Sequence, residues 1–120
     1  RAAQAGPRRD SVMYEYKATV TRVVDGDTLW LDLDLGCDTR LKMSVRLFGV
    51  NCPEMGTNEG RAAKAFVEAW VARVPYVVVK TEKDKREKYG RYLATLLPPL
   101  GERSLNRDLM VAGHAVEYLL

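Results

Sequence analysis

From Tyr14 the chain alternates. Tyr14, Tyr16, Ala18 and Val20 fall on one side, and Glu15, Lys17, Thr19 and Thr21 on the other, which is the two-residue period of a half-buried strand. The pattern predicts a first strand to about Val24, followed by a turn at Asp25-Gly26 in which glycine accepts positive φ. Thr28 to Leu35 returns as a second strand, with Leu29, Leu31, Leu33 and Leu35 opposite Thr28, Trp30, Asp32 and Asp34. After a turn at Gly36-Cys37-Asp38-Thr39, the residues Leu41, Met43, Val45 and Leu47 open a third strand, completing an antiparallel meander. This strand runs into a polar cluster, and Pro53, which lacks a ladder donor, stops it.

The period then changes to that of a helix. Asn58 is the expected cap of a helix from about Glu59 to Val74, with Ala62, Phe66, Trp70 and Val74 recurring at i, i+4 beside Ala63, Val67 and Val71. Phe66 and Trp70 read as core anchors rather than base-stacking residues, and Pro75 ends the helix. Tyr76 to Thr81 is a fourth strand. Tyr92 to Leu97 is a fifth, closed by Pro98-Pro99, and residues 80–88 between them form a charged, exposed loop. Ser104 caps a short helix from Leu105 to about Ala112, Gly113 stops it, and His114 to Leu120 is a last extended segment. The fold class is therefore α+β, mainly β: a five-stranded OB-type barrel, with a long helix between strands 3 and 4 and a short C-terminal helix.

A chain of 120 residues holds one domain, expected over residues 14–120, with residues 1–13 as a flexible leader or tag-derived segment. A first residue of Arg suggests a fragment or a processed form, with Met13 as a candidate native start. No apolar run is long enough to cross a bilayer and the beginning lacks a signal-peptide core, which leaves cytoplasm and secretion both open. A net charge of +3 favours polyanionic partners without demanding them. Cys37 and Cys52 lack the paired spacing of a zinc site and read as reduced thiols, a bridge between them requiring an oxidising compartment.

The candidate chemistry collects at the end of the third strand. Asp27, Asn51 and Glu54, with Asp25 close enough to assist, are hard oxygen donors of the kind calcium prefers, if the ends of the first and third strands meet. Asp25-Gly26-Asp27 also suits an ordinary hairpin turn. Arg46 and Arg91 stand beside strand ends, where each can hold a phosphate bidentately. Lys88 and Tyr89 offer a further phosphate contact, and salt bridges to Glu82, Asp84 or Glu87 are the plainer role for the cations. His114 is the only histidine, which excludes a histidine acid–base pair and makes it a core or surface residue. Cys52 has no neighbouring histidine to generate a thiolate nucleophile.

Three segments, Val23-Val24-Asp25-Gly26-Asp27-Thr28, Val45 to Glu54, and Lys88-Tyr89-Gly90-Arg91-Tyr92-Leu93-Ala94, resemble the signature segments of the staphylococcal nuclease (thermonuclease) family, in the family's order. Leu105-Asn106-Arg107-Asp108-Leu109 and Gly113-His114-Ala115 resemble its next element. The resemblance implies a calcium-dependent endonuclease acting on DNA and RNA, single strands preferred, that leaves 3′-phosphate ends. It further implies that Asp27 binds calcium with Asn51 and the Cys52 backbone carbonyl, that Arg46 and Arg91 bind phosphate, and that Glu54 activates water. Lys88 and Tyr89 match residues at the substrate's phosphate end. Asn51 stands where the founding enzyme has an aspartate, a loss of charge that retunes the metal site and admits magnesium or manganese. The expected protein is a monomeric, metal-dependent phosphodiesterase. The alternative is an OB-fold nucleic-acid-binding module with a degenerate metal site.

Overall fold

The computed structural model describes residues 14–83, 91–101 and 103–118. Its strands are β1 (Tyr14–Asp25), β2 (Thr28–Asp34), β3 (Arg40–Leu47), β4 (Val50–Asn51), β5 (Val77–Lys83), β6 (Tyr92–Leu97) and β7 (Val116–Glu117). The helices are α1 (Asn58–Ala72) and α2 (Leu105–Val111). Five strands close a barrel in the order β1-β2-β3-β6-β5, and β4 pairs with β7 in a separate two-stranded ribbon. This is the five-stranded barrel with two helices that the periodicity predicts.

Alternation decides which side chains fill the barrel. Leu29, Leu31 and Leu33 from β2, Val45 and Leu47 from β3, Val77 and Val79 from β5, and Ala94 and Leu96 from β6 are buried together. Val67 and Trp70 of α1 and Leu105 and Leu109 of α2 join the same core. Register shifts between Val20 and Arg22 and between Val23 and Asp25 break the two-fold period of β1. Val20 and Val23, three residues apart, consequently both pack on the core. Leu35 and Leu41, expected inside, are 39% and 47% exposed. Alternation names a side of the sheet, not how far the barrel interior extends along it.

Several local expectations change. β3 ends at Leu47, before a turn in which Gly49 has φ 76°, so Pro53 follows the separate strand β4 and does not itself stop the third strand. β5 runs to Lys83 and pairs with β6 over Lys80 to Lys83, so residues 80–83 belong to the sheet rather than to the charged loop, and residues 84–88 lie outside the described residues. The cap of α1 is Thr57, whose hydroxyl accepts from the Gly60 N–H at 3.0 Å, and Asn58 is already helical. The buried stripe of α1 is Gly60, Ala63, Val67 and Trp70, while Ala62 is exposed. A strict i, i+4 row advances about 40° per step at 3.6 residues per turn, so it winds off the buried face. Gly26 is not among the glycines of positive φ; it is required by space, since a Cβ there would lie 2.7 Å from Cys52 Sγ and 2.8 Å from Ala63 Cβ. α2 follows the expectation, with the Ser104 hydroxyl accepting from the Arg107 N–H at 3.1 Å and Gly113 at φ 83° beyond its end. Both cysteines are free thiols.

Candidate active site

The β1–β2 turn and the end of β3 are brought together by main-chain pairing. Thr28 lies opposite Arg46 in the β2–β3 register, and the Leu47 N–H donates to the Asp27 carbonyl at 2.8 Å. The strand-end loop folds back over the turn, where the Cys52 N–H donates to Asp27 Oδ2 at 3.0 Å. Asp27 is held from its other sides as well: its own N–H donates to Asp25 Oδ1 at 3.0 Å, and Thr28 Oγ1 lies 3.3 Å from Asp27 Oδ1.

Arg46 alternates with buried Val45 and Leu47, so its side chain leaves the core and enters this corner. Its Nη2 lies 3.7 Å from Asp27 Oδ2 and donates to Asn51 Oδ1 at 3.1 Å and to the Val50 carbonyl at 3.4 Å. The guanidinium stands 5.2 Å from the centroid of the Tyr118 ring. Arg91 immediately precedes β6, which runs parallel to β3 with Tyr92 beside Val45 and Leu93 beside Arg46. Arg46 therefore lies on β3 and Arg91 at the entrance to its parallel neighbour β6. Arg91 is partly buried.

Burial pushes the acid range of Asp27 up. Its hydrogen bond and charge interaction with Asp25 add to the rise, while the Cys52 N–H and Arg46 oppose it. Burial, with the charges of Asp27 and Asp25, raises the Cys52 thiol to about 12, so it stays protonated at neutral pH and is no nucleophile.

The donor set suits a hard cation in part. Asp25 and Asp27 are two carboxylates pressed together in a half-buried turn, a repulsion that a divalent ion relieves. Asn51 Oδ1 is turned to Arg46, and the Glu54 side chain is exposed. Among the described residues, no three of His, Cys, Asp and Glu gather into a metal-binding group. One or two carboxylates with positions left for water and substrate phosphate is the arrangement magnesium-type sites use. Lys88 and Tyr89 lie outside the described residues.

Some supporting residues were not singled out by sequence reasoning. Asn106, buried on α2, donates from Nδ2 to the carbonyls of Phe48 at 2.8 Å and Ala94 at 3.0 Å, and accepts from the Leu96 N–H at 3.2 Å. It fastens the end of β3 to β6, and thereby the strands carrying the two arginines. Its signal was a lone amide between Leu105 and Leu109 on the apolar face of a short helix. Thr57 and Gly60 hold the Glu54 loop: Thr57 Oγ1 donates to the Glu54 carbonyl at 2.7 Å, and a Cβ on Gly60 would fall 1.9 Å from that same oxygen. Tyr118 reaches Arg46 because β7 pairs with β4, and its N–H donates to the Gly49 carbonyl at 2.8 Å.

The family described as Staphylococcal nuclease homologue matches residues 44–119. The chain is 35% identical over 102 residues to a protein of Staphylococcus intermedius named Thermonuclease, covering 80% of this chain and 56% of that protein. It is 30% identical over 99 residues to an Uncharacterized endonuclease of Escherichia coli, covering 82% and 59%. It is 26% identical over 125 residues to Endonuclease YhcR of Bacillus subtilis, covering 95% of this chain and 10% of that protein. The chain thus spans less than two thirds of the length of each of these relatives.

Proposed function

The chain belongs to the staphylococcal nuclease homologue family, and from that premise we propose that it is a calcium-dependent phosphodiesterase cutting single-stranded or weakly paired DNA and RNA to 3′-phosphate products. The observation that carries this reading is the corner at Asp27. A half-buried carboxylate pair, an arginine and a strand-end loop meet where a phosphate and a cation would share one site.

Asp27, with Asn51 and the Cys52 carbonyl and with Asp25 supporting it, would hold the cation. A bound calcium would supply Lewis acidity toward a phosphate oxygen and toward water, and magnesium or manganese could serve in its place. The protein's own groups do the rest. Arg46 and Arg91 hold the non-bridging oxygens and offset the charge that grows on them as the water oxygen attacks phosphorus. The exposed Glu54 carboxylate accepts the water's proton. The P–O5′ bond breaks and the 5′-oxygen leaves as a hydroxyl, taking up a proton from solvent, so the phosphate stays on the 3′ side. Lys88 and Tyr89 contact the substrate's phosphate end.

The test is incubation with single-stranded DNA and RNA in calcium, in magnesium or manganese, and in chelator, with Glu54→Gln alongside. Calcium-dependent cleavage to 3′-phosphates, lost in chelator and reduced about 10²-fold or more in folded Glu54→Gln, is expected. Cleavage unaffected by chelator, or a wild-type rate in Glu54→Gln, overturns the mechanism. One observation favours the second reading, a binding module with a degenerate site: Asn51 Oδ1 is engaged by Arg46 at 3.1 Å. That reading expects binding without cleavage under every metal.

A further inference from the structure

We infer that the cavity between residues 51–53 and 113–116 takes one base of a single-stranded polynucleotide, with the His114 imidazole as its stacking face. The inference rests on the nuclease reading and adds a contact to base where that reading has contacts to phosphate.

The cavity measures about 220 Å³. Asn51, Cys52 and Pro53 form one wall and Gly113, His114 and Ala115 contribute the other. Two of these residues already belong to the Asp27 corner: Asn51 accepts from Arg46, and the Cys52 N–H donates to Asp27. The cavity therefore adjoins the phosphate-facing corner. Its own lining is different in kind. Among the described residues no carboxylate, lysine or arginine lines it, and Cys52, Pro53, Gly113, Ala115 and Val116 stand beside Asn51 and His114 in its walls. Such walls do not solvate a phosphate. They suit a flat, weakly polar ring.

His114 is set in place before any ligand arrives. Its backbone N–H donates to the Leu109 carbonyl at 2.9 Å, directly after the left-handed turn at Gly113, φ 83°. Its ring packs against Phe66 with centroids 5.0 Å apart and planes tilted by 45°. A braced ring loses little freedom when a base stacks on it. A base that enters must leave any duplex stack, so this subsite selects single strands.

The test is fluorescence anisotropy with a single-stranded DNA of about eight nucleotides and a series in which one abasic position is moved along it. Binding is read in chelator, so no step depends on hydrolysis. The wild type is expected to bind one abasic oligonucleotide about tenfold more weakly than the intact one, by the loss of one stacked base. His114→Ala loses this discrimination, and His114→Phe keeps it. Matching thermal unfolding of the three proteins confirms that each is folded. Full discrimination in folded His114→Ala overturns the inference, as does a wild type indifferent to every abasic position. Equal weakening toward all oligonucleotides with discrimination intact assigns His114 a structural role and overturns it too. A protein that discriminates as expected but never cleaves in calcium keeps the subsite and refutes the nuclease reading.

Discussion

Asp27 carries its charge against opposition. Burial and Asp25 raise its acid range above the ordinary 3.8, so within the window from 3.8 to the raised value the folded protein holds the proton more tightly than the unfolded chain. Stability therefore falls as pH rises through that window and stays lower above it. Asp27→Asn is expected to raise the Tm at pH 7 in chelator, with the gain shrinking below about pH 4. Adding calcium should narrow the gap by stabilising the wild type alone. Scanning calorimetry at two pH values checks this, and a lower Tm for Asp27→Asn at pH 7 contradicts it. The cysteines provide a second residue-scale test. Exposed Cys37 should alkylate with iodoacetamide at pH 8 well before Cys52, whose thiol is pushed up to about 12. Peptide mass mapping reads the order.

At the scale of elements, the site is held by contacts that have no ligand role of their own. Asn106→Leu removes three hydrogen bonds and leaves the Phe48 and Ala94 carbonyls and the Leu96 N–H to find new partners. A loss of about 2–4 kcal/mol in urea unfolding is expected, and a loss below about 0.5 kcal/mol would show that the amide does not fasten β3 to β6. Gly60→Ala drives a methyl into the Glu54 carbonyl, so the loop must shift. Activity should fall more than stability, because Glu54 moves while the barrel core stays filled. Much of this was legible in the sequence: period-two alternation located the three strands of the meander, short apolar β-rich runs located the two later barrel strands, and Pro75 marked the end of α1, whereas β3 ends at Leu47, well before Pro53. The ribbon of β4 and β7 was not, since two-residue strands carry no periodicity. Nor was the reason for Gly26, because a close approach by Cys52 and Ala63 is a property of the folded chain. The Asp27 to Arg46 pairing was legible only as far as both residues sat at strand ends; the β2–β3 register made them neighbours.

For the molecule as a whole, the barrel sets Asp27 of the β1–β2 turn beside Arg46 of β3, and Arg91 leads into β6, which runs parallel to β3. If Arg46, Arg91 and Lys88 each neutralise a phosphate, log Kobs for a single strand should fall with log salt at a slope of about −2.1, and Arg91→Ala should make it shallower by about 0.7. Anisotropy titrations from low to moderate salt read both slopes, and an unchanged slope in Arg91→Ala removes that arginine from the phosphate path. In the proposed function the Asp27 corner is the hydrolytic centre. Its most direct test is single-turnover cleavage of single-stranded DNA in calcium by wild type and by Asp27→Asn, both shown to be folded. Cleavage by the wild type and a loss of at least about 10²-fold in Asp27→Asn are expected; equal rates in the two proteins would rule out a hydrolytic role for the corner.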